Sequence, residues 1–236
     1  MLLQIIFGGF TVQEKFIIIV AYIVAIYFAV VLHEIGHGFV AHLNGDDTAK
    51  INGRLSLNPV KHFDPLGMAM MLLIGMGWAR PVPVDSRNFR SERKGMVTVA
   101  LAGVTVNLIL SFLGFALYVG MGAILQKAEM TSEILIVIVK LFFYIGYLST
   151  FLNISLIAFN LLPIFPLDGF RLIEAFTKPD NKFVVFMRKY SRYLFLVLIM
   201  LDIIGDRTGW PCNILSMYIG LVQDGITKLY SLIFGL

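Results

Sequence analysis

The stretch FIIIVAYIVAIYFAVVLHEIGHGFVAHL, Phe16 to Leu43, decides the fold class. Its first part, Phe16 to Leu32, is uncharged and apolar, and the apolar character continues around a few polar residues to Leu43. At about 1.5 Å per residue such a helix is long enough to cross a hydrocarbon core of roughly 30 Å. Two further runs read the same way. Gly95 to Leu125 is uncharged, with Thr98, Thr105, Asn107 and Ser111 as its polar members. Ile134 to Leu162 carries Lys140 near its start, where a long side chain can snorkel to the interface.

The composition agrees with three spans. The chain of 236 residues is 58% hydrophobic and only 14% charged, against about a quarter charged in soluble domains. Its mean hydropathy is +0.83. This excludes a disordered, collagenous or disulfide-stapled chain, and one soluble core of this size cannot hide so much apolar surface. The class that remains is an all-α polytopic membrane protein in contact with a lipid bilayer. The net charge of +4 is no argument for a nucleic-acid partner, because the placement of basic residues matters more than their sum here. Cys212 is the single cysteine, so neither an intrachain disulfide nor a cysteine zinc site is available. Met1 to Phe10 lacks a basic n-region and reads as retained rather than as a cleaved signal peptide.

One to three further membrane helices are expected in the C-terminal part. Tyr193 to Ile204 is short and crosses only if Phe183 to Arg192 extends its helix. Asn213 to Leu236 is long enough but contains Asp224 and Lys228, whose i,i+4 spacing permits pairing. Basic residues concentrate in Asn44 to Gly95, with eight Lys and Arg, and in Pro163 to Arg192, with six. The connection Gln126 to Glu133 holds only Lys127, and Gly205 to Asn213 only Arg207. The positive-inside rule then threads the chain with its N-terminus outside and the two basic stretches in the cytoplasm. Within the first basic stretch, Asn52-Gly53 is a favoured type I′ turn pair, and Thr48–Ile51 with Arg54–Leu57 is expected to form a small β-hairpin. Leu66 to Ala79 is too short to span and reads as a re-entrant or interface-buried segment. Pro81-Val82-Pro83-Val84 must be extended.

The first long helix contains His33-Glu34-Ile35-Gly36-His37, the pattern H-E-x-x-H. Residues i and i+4 share a helix face, so both imidazoles can grip one ion, with Glu34 one step around as a proton acceptor. Two histidines and a carboxylate suit zinc. The trio is expensive inside a membrane unless it is used. With the helix midpoint near residue 30, it falls in the cytoplasmic half, roughly 10–15 Å from the helix end. His42 is rotated off the face, and His62 lies in the basic stretch without informative spacing. The third ligand is therefore expected to be a carboxylate. Asp168 stands out in Asn160-Leu161-Leu162-Pro163-Ile164-Phe165-Pro166-Leu167-Asp168-Gly169, where two prolines break a helix at membrane depth. Asp168 also reads as a helix N-cap, and Glu174 is the rival carboxylate. Asn107 either lines the site or bonds two helices.

These motifs together resemble the site-2 protease family of intramembrane zinc metalloproteases. The likeness is carried by His33-Glu34-x-x-His37 and Asn160-x-x-Pro163…Leu167-Asp168-Gly169. It is supported by Gly45-Asp46-Asp47-Thr48-Ala49, Leu57-Asn58-Pro59…His62-Phe63-Asp64-Pro65-Leu66-Gly67 and Gly77-Trp78-Ala79-Arg80-Pro81-Val82-Pro83-Val84. It runs from about Tyr22 to Phe176. The resemblance implies one Zn2+ held by His33, His37 and Asp168, with Glu34 as general base and Asn160 contacting substrate or the developing oxyanion. It implies a transmembrane protein as substrate, cut within or near its membrane segment, and a prokaryotic cell membrane as the location. The hairpin and re-entrant segment look like the family's β element near the active site. The expected organisation is a single membrane protease domain, 1–236, with a core of about 14–176 and C-terminal membrane helices over about 183–236. No insertion is long enough for a PDZ domain, and no paired nucleotide-sensing domain is expected. The alternative function is a catalytically inactive membrane scaffold or a metal-binding membrane protein.

Overall fold

The computed structural model of the chain describes residues 8–74, 77–127, 131–178 and 180–236. Most of Met1 to Phe10, part of the connection after Lys127 and two residues within Leu66 to Ala79 lie outside the described residues. Three long helices make the core: α1 (Val12–Leu43), α4 (Glu92–Lys127) and α5 (Glu133–Asn160). All three are long and apolar enough to cross a membrane. Helices α1 and α4 exceed the apolar runs that marked them, because charged residues such as Glu14, Glu92 and Lys127 form the end turns, whereas α5 stops two residues before the end of its run. Thr11 and Glu14 close α1 with a capping box, and Ser132 caps α5. Lys140 is paired with Glu14 at 3.5 Å, tying the start of α5 to the start of α1.

Along α1 from Ala29 to His37 the partners on α4 run backwards from Asn107 to Val99, so the two helices are antiparallel. Helix α5 runs beside both, with Tyr22 and Leu148 in one buried cluster. The buried face of this bundle is unusually polar. His33, His37, Asn107, Ser111, Thr150 and Asn153 are all buried, while Phe28, Phe39, Leu108, Ile109 and Leu113 point outward. That arrangement suits a lipid solvent, which offers polar groups no partner.

Between α1 and α4 the structure corrects one expectation. Thr48–Ile51 is a single helical turn, α2, and no strand occurs among the described residues. The hairpin is absent because Asn52-Gly53 ends a helix here. The Gly53 N–H bonds to the Lys50 carbonyl, and Gly53 adopts φ +62°. A helix stop and a type I′ turn both need a left-handed glycine, so the dipeptide by itself cannot separate them. Among the described residues the one β-type contact is a lone bridge between Phe63 and Ala79, beside a bond from Arg80 N–H to the His62 carbonyl. Those two contacts bring the chain back to its starting point after α3 (Pro65–Ile74), a helix of 10 residues and too short to span.

Helix α5 ends at Asn160, and the proline-containing turn leads into the short α6 (Asp168–Phe176). Helix α7 (Lys182–Thr208) is continuous, so Phe183 to Arg192 does extend the Tyr193 to Ile204 helix. Asp202 accepts from the backbone N–H groups of Leu215 and Ser216, which caps α8 (Ile214–Phe234). Helix α8 rests on α4 and α5 through Tyr230 and Gln223. Asp224 and Lys228 form no ion pair with each other.

Candidate metal centre

Histidines at i and i+4 on α1 place both rings on the face turned to α4. The His33 and His37 Nε2 atoms lie 3.0 Å apart. Asp168, on the first turn of α6, brings its Oδ2 to 3.4 Å from His33 Nε2 and 3.1 Å from His37 Nε2. All three residues are buried. Asp168 is not the helix cap: Leu167 occupies that position, without a side-chain bond. The carboxylate instead points inward, and its Oδ2 has no hydrogen-bond partner.

Two glycines make this convergence possible. A Cβ on Gly103 would collide with the His33 Cε1 atom and sit 2.5 Å from His37 Nε2. A Cβ on Gly169 would run into the Leu161 carbonyl, so any larger residue there would push α6 off the end of α5.

The electrostatics favour a cation between the three donors. His37 Nδ1 lies 2.7 Å from the Val99 carbonyl, which can only accept, so Nδ1 carries the proton and Nε2 is left with its lone pair. That lone pair faces an orphaned carboxylate oxygen. Two acceptors at 3.1 Å repel unless positive charge stands between them. Four ligands around zinc at about 2.0–2.1 Å would be about 3.3–3.4 Å apart, close to the 3.0, 3.1 and 3.4 Å found. The three side chains therefore form a group that could hold a metal ion.

Glu34 lies half-buried beside the group, its Oε2 accepting the Val82 N–H at 2.8 Å. Val82 stands in the Pro81–Val84 stretch, which is neither helix nor strand and is anchored further on: Asp85 N–H donates to Asp46 Oδ2 at 2.8 Å. Asp46 is fully buried and also takes the Thr48 N–H, the Thr48 hydroxyl and the Asn88 amide. Burial pushes its carboxyl up, but these hydrogen bonds outweigh it and hold the pKa below the ordinary value.

The other sequence candidates fall elsewhere. Asn160 ends α5 with its amide donating to the Leu156 carbonyl at 3.0 Å, back along its own helix. Glu174 is paired with Arg188 at 2.6 Å. His42 pairs with Asp47, and His62 Nε2 lies 2.6 Å from the Ser56 carbonyl. Asn107 lies 2.5 Å from His33 Nδ1 and also bridges helices, so the two readings of it hold together. Val99 escaped the sequence reading, since a backbone carbonyl leaves no trace in residue types. Gly103, one turn on, marks the place in the sequence, because its bare Cα leaves room for the two imidazoles. Two polar clefts sit near the site. One of about 380 Å³ lies between Arg93, Glu174, Lys178 and Arg188. A second of about 210 Å³ shares Ser86, Met96 and Glu174 with it and reaches Val99.

With this geometry in place, the comparisons are specific. The model of peptidase family M50 matches residues 21–201. The chain belongs to peptidase family M50. This is the site-2 protease family that the motifs resemble, and the match reaches past Phe176 into α7. The chain is similar to the Bacillus subtilis protein named "Putative zinc metalloprotease YwhC", 40% identical over 210 residues, which covers 86% of this chain and 87% of that one. It is also similar to the Mycobacterium tuberculosis protein named "Putative zinc metalloprotease Rip2", 29% identical over 180 residues. That alignment covers 72% of this chain and 62% of the relative's length. No solved structure matches the chain significantly.

Proposed function

We propose that this M50 peptidase is an intramembrane zinc metalloprotease that hydrolyses a peptide bond within or near a transmembrane segment of another membrane protein. The observation that carries the reading is the orphaned Asp168 Oδ2 aimed at two histidine nitrogens on a membrane-length helix. His33, His37 and Asp168 hold one Zn2+, the metal for which the relatives are named. When bound, zinc polarises the scissile carbonyl and makes water a competent nucleophile near neutral pH. Glu34 is the general base. The Val82 N–H fixes one of its oxygens and leaves the other to accept the proton from the attacking water. Asn160 serves the developing oxyanion by turning its amide out of the Leu156 bond. A substrate helix must unwind locally, because its carbonyls are otherwise engaged within the helix.

The positive-inside pattern of the basic stretches supports a metal centre in the cytoplasmic half of the bilayer, in a multi-pass chain with its N-terminus outside, and the bacterial relatives support a prokaryotic cell membrane. Helices α7 and α8 add to the three spans as further membrane helices of a single domain. Water enters through the two joined clefts, whose outer rim carries Arg93, Lys178 and Arg188 on the basic side.

Glu34→Gln tests the assignment. The purified variant is expected to keep about one zinc and to cleave single-span fusion substrates, co-expressed in membranes, roughly 10²–10⁴-fold more slowly. Undiminished cleavage would remove Glu34 from the mechanism, and loss of the metal would assign it to the ligand set instead.

A further inference from the structure

His33 poses a problem that His37 does not. To present a lone pair at Nε2, an imidazole must carry its proton on Nδ1. For His37 a backbone carbonyl enforces this. His33 Nδ1 faces the Asn107 side chain at 2.5 Å, and a primary amide can offer either an oxygen or an NH2 group. If Asn107 turned its NH2 to His33, the Nδ1 would have to accept, the proton would move to Nε2, and the metal-facing lone pair would be lost.

The surroundings of Asn107 decide which way it turns. Its Nδ2 lies 3.2 Å from the Ala29 carbonyl and 2.6 Å from Asn153 Oδ1. The Asn153 Nδ2 in turn donates to the Ser149 carbonyl at 2.7 Å and to the Ser149 hydroxyl at 3.2 Å. Asn107 and Asn153 are both fully buried, so no water can substitute for a lost partner without a rearrangement. The row ends at each side on a main-chain carbonyl, which accepts only and cannot rotate. Flipping Asn107 alone sets its oxygen against the Ala29 and Asn153 oxygens. Flipping both amides relieves the second clash but sets the Asn153 oxygen against the Ser149 carbonyl. Only one orientation satisfies every atom, and it turns the Asn107 oxygen to His33.

The structure assigns Asn153 on α5, with the Ser149 carbonyl behind it, as a positioning residue that sets the tautomer of His33 through Asn107. The metal-facing atom on α1 is thereby fixed from α5, a helix that contributes no donor to the three-residue group. Metal competence then depends on α5 docking against α4, and not on the α1 motif alone. This rests on His33 being a zinc ligand, as proposed above. Outer partners of metal-bound histidines typically change metal affinity by about 10–100-fold.

The experiment uses the full chain in detergent with 15N-labelled histidine, stripped of metal and held at alkaline pH so that imidazole is neutral. The His33 signals are identified by their loss in His33→Asn. The wild type is expected to show His33 with Nδ1 protonated and Nε2 bare, a result independent of whether zinc binds. A proton found on Nε2 overturns the proposal. Asn153→Leu, which keeps bulk and removes the acceptor, should mix the two tautomers and weaken zinc about 10-fold in competition with a chelator. Asn153→Asp, as the protonated acid that full burial favours, keeps an oxygen toward Asn107 and a hydroxyl donor toward the Ser149 carbonyl, and at neutral pH should hold zinc within about threefold of wild type. A folded Asn153→Leu with an unchanged tautomer and unchanged zinc competition reduces Asn153 to a packing residue and overturns the proposal. Equal losses in Leu and Asp variants do so as well. If the wild-type tautomer is as expected but no zinc is held, the assignment of His33 as a ligand fails and the relay stands.

Discussion

The helix bundle α1, α4 and α5 and the C-terminal pair α7 and α8 are both apolar and helical, yet they are built in opposite senses. In the bundle the polar residues His33, His37, Asn107, Ser111, Thr150 and Asn153 are buried and large apolar side chains face out. In the pair the described buried residues are few: Val184, Ser191, Gly205, Leu215 and Tyr230. Most of the charge in α7 is exposed on its first turns. The difference teaches which helices carry a polar interior. Polar groups buried among membrane helices are costly, and they persist where they bond one another or hold an ion. The pair joins that interior through an apolar cluster in which Tyr230 and Phe234 meet Phe112 and Phe115, with few polar contacts such as Tyr230 to the Ser111 hydroxyl at 2.8 Å.

The sharpest way to break this contrast is to exchange the two carboxylates of α6. Asp168→Ala is expected to abolish zinc binding, from about one ion per chain to none, while Glu174→Ala keeps the ion and loses only its pairing with Arg188. Metal content of the purified proteins by mass spectrometry reads the result. Zinc retained in Asp168→Ala would move the third ligand elsewhere. A smaller loss is expected from Gly103→Val, whose side chain would enter the space of the two imidazoles. Overpacking of this kind costs about 1–3 kcal/mol. Here it falls on the proposed ligands, so zinc affinity should drop by roughly 10–100-fold in chelator competition, with the helices intact by circular dichroism.

Asp46 tests whether the loop that presents Val82 to Glu34 is part of the rigid region. Asp46→Asn should cost about 2 kcal/mol by leaving buried donors poorly matched. The pH dependence has a definite sign. The folded pKa lies below the ordinary value of 3.8, so the contribution of Asp46 is complete above about pH 4 and is lost as the pH falls through the folded value. The difference in thermal unfolding between wild type and Asp46→Asn should therefore shrink below about pH 4; a gap that widens there would contradict it. The smallest effect belongs to the pair. Tyr230→Phe removes a buried hydroxyl that bonds to Ser111 and the Leu108 carbonyl, is expected to cost about 1 kcal/mol, and should leave zinc content unchanged.

Local features of the chain were legible as residue patterns. Three long apolar runs mark three membrane-length helices, since length and hydropathy are properties of a segment alone. H-E-x-x-H puts two imidazoles on one helix face by the 3.6-residue period. The Asn52-Gly53 turn misled, because a left-handed glycine serves a helix end as well as a hairpin, and only the packing of the buried Ala49 within its helical turn separates them. Asp168 was singled out by its setting between prolines and by the family resemblance. The residues that orient the histidines were the least legible. Asn107 offered two readings, and Asn153 appeared only as a polar residue in a span.

What the sequence determined by itself is the membrane class, the three core helices, the histidine pair and the membership of a peptidase family that its motifs display. What only the tertiary structure decided is the meeting of Asp168 with that pair, the pairing of Glu174 with Arg188 instead, and the hydrogen-bond partner behind each imidazole. The physical reason is range. Hydropathy and helical period act within a few turns of chain. The candidate metal group instead joins α1 to α6 across more than a hundred residues, through contacts that require bare glycine at 103 and 169 and main-chain carbonyls that no side chain announces.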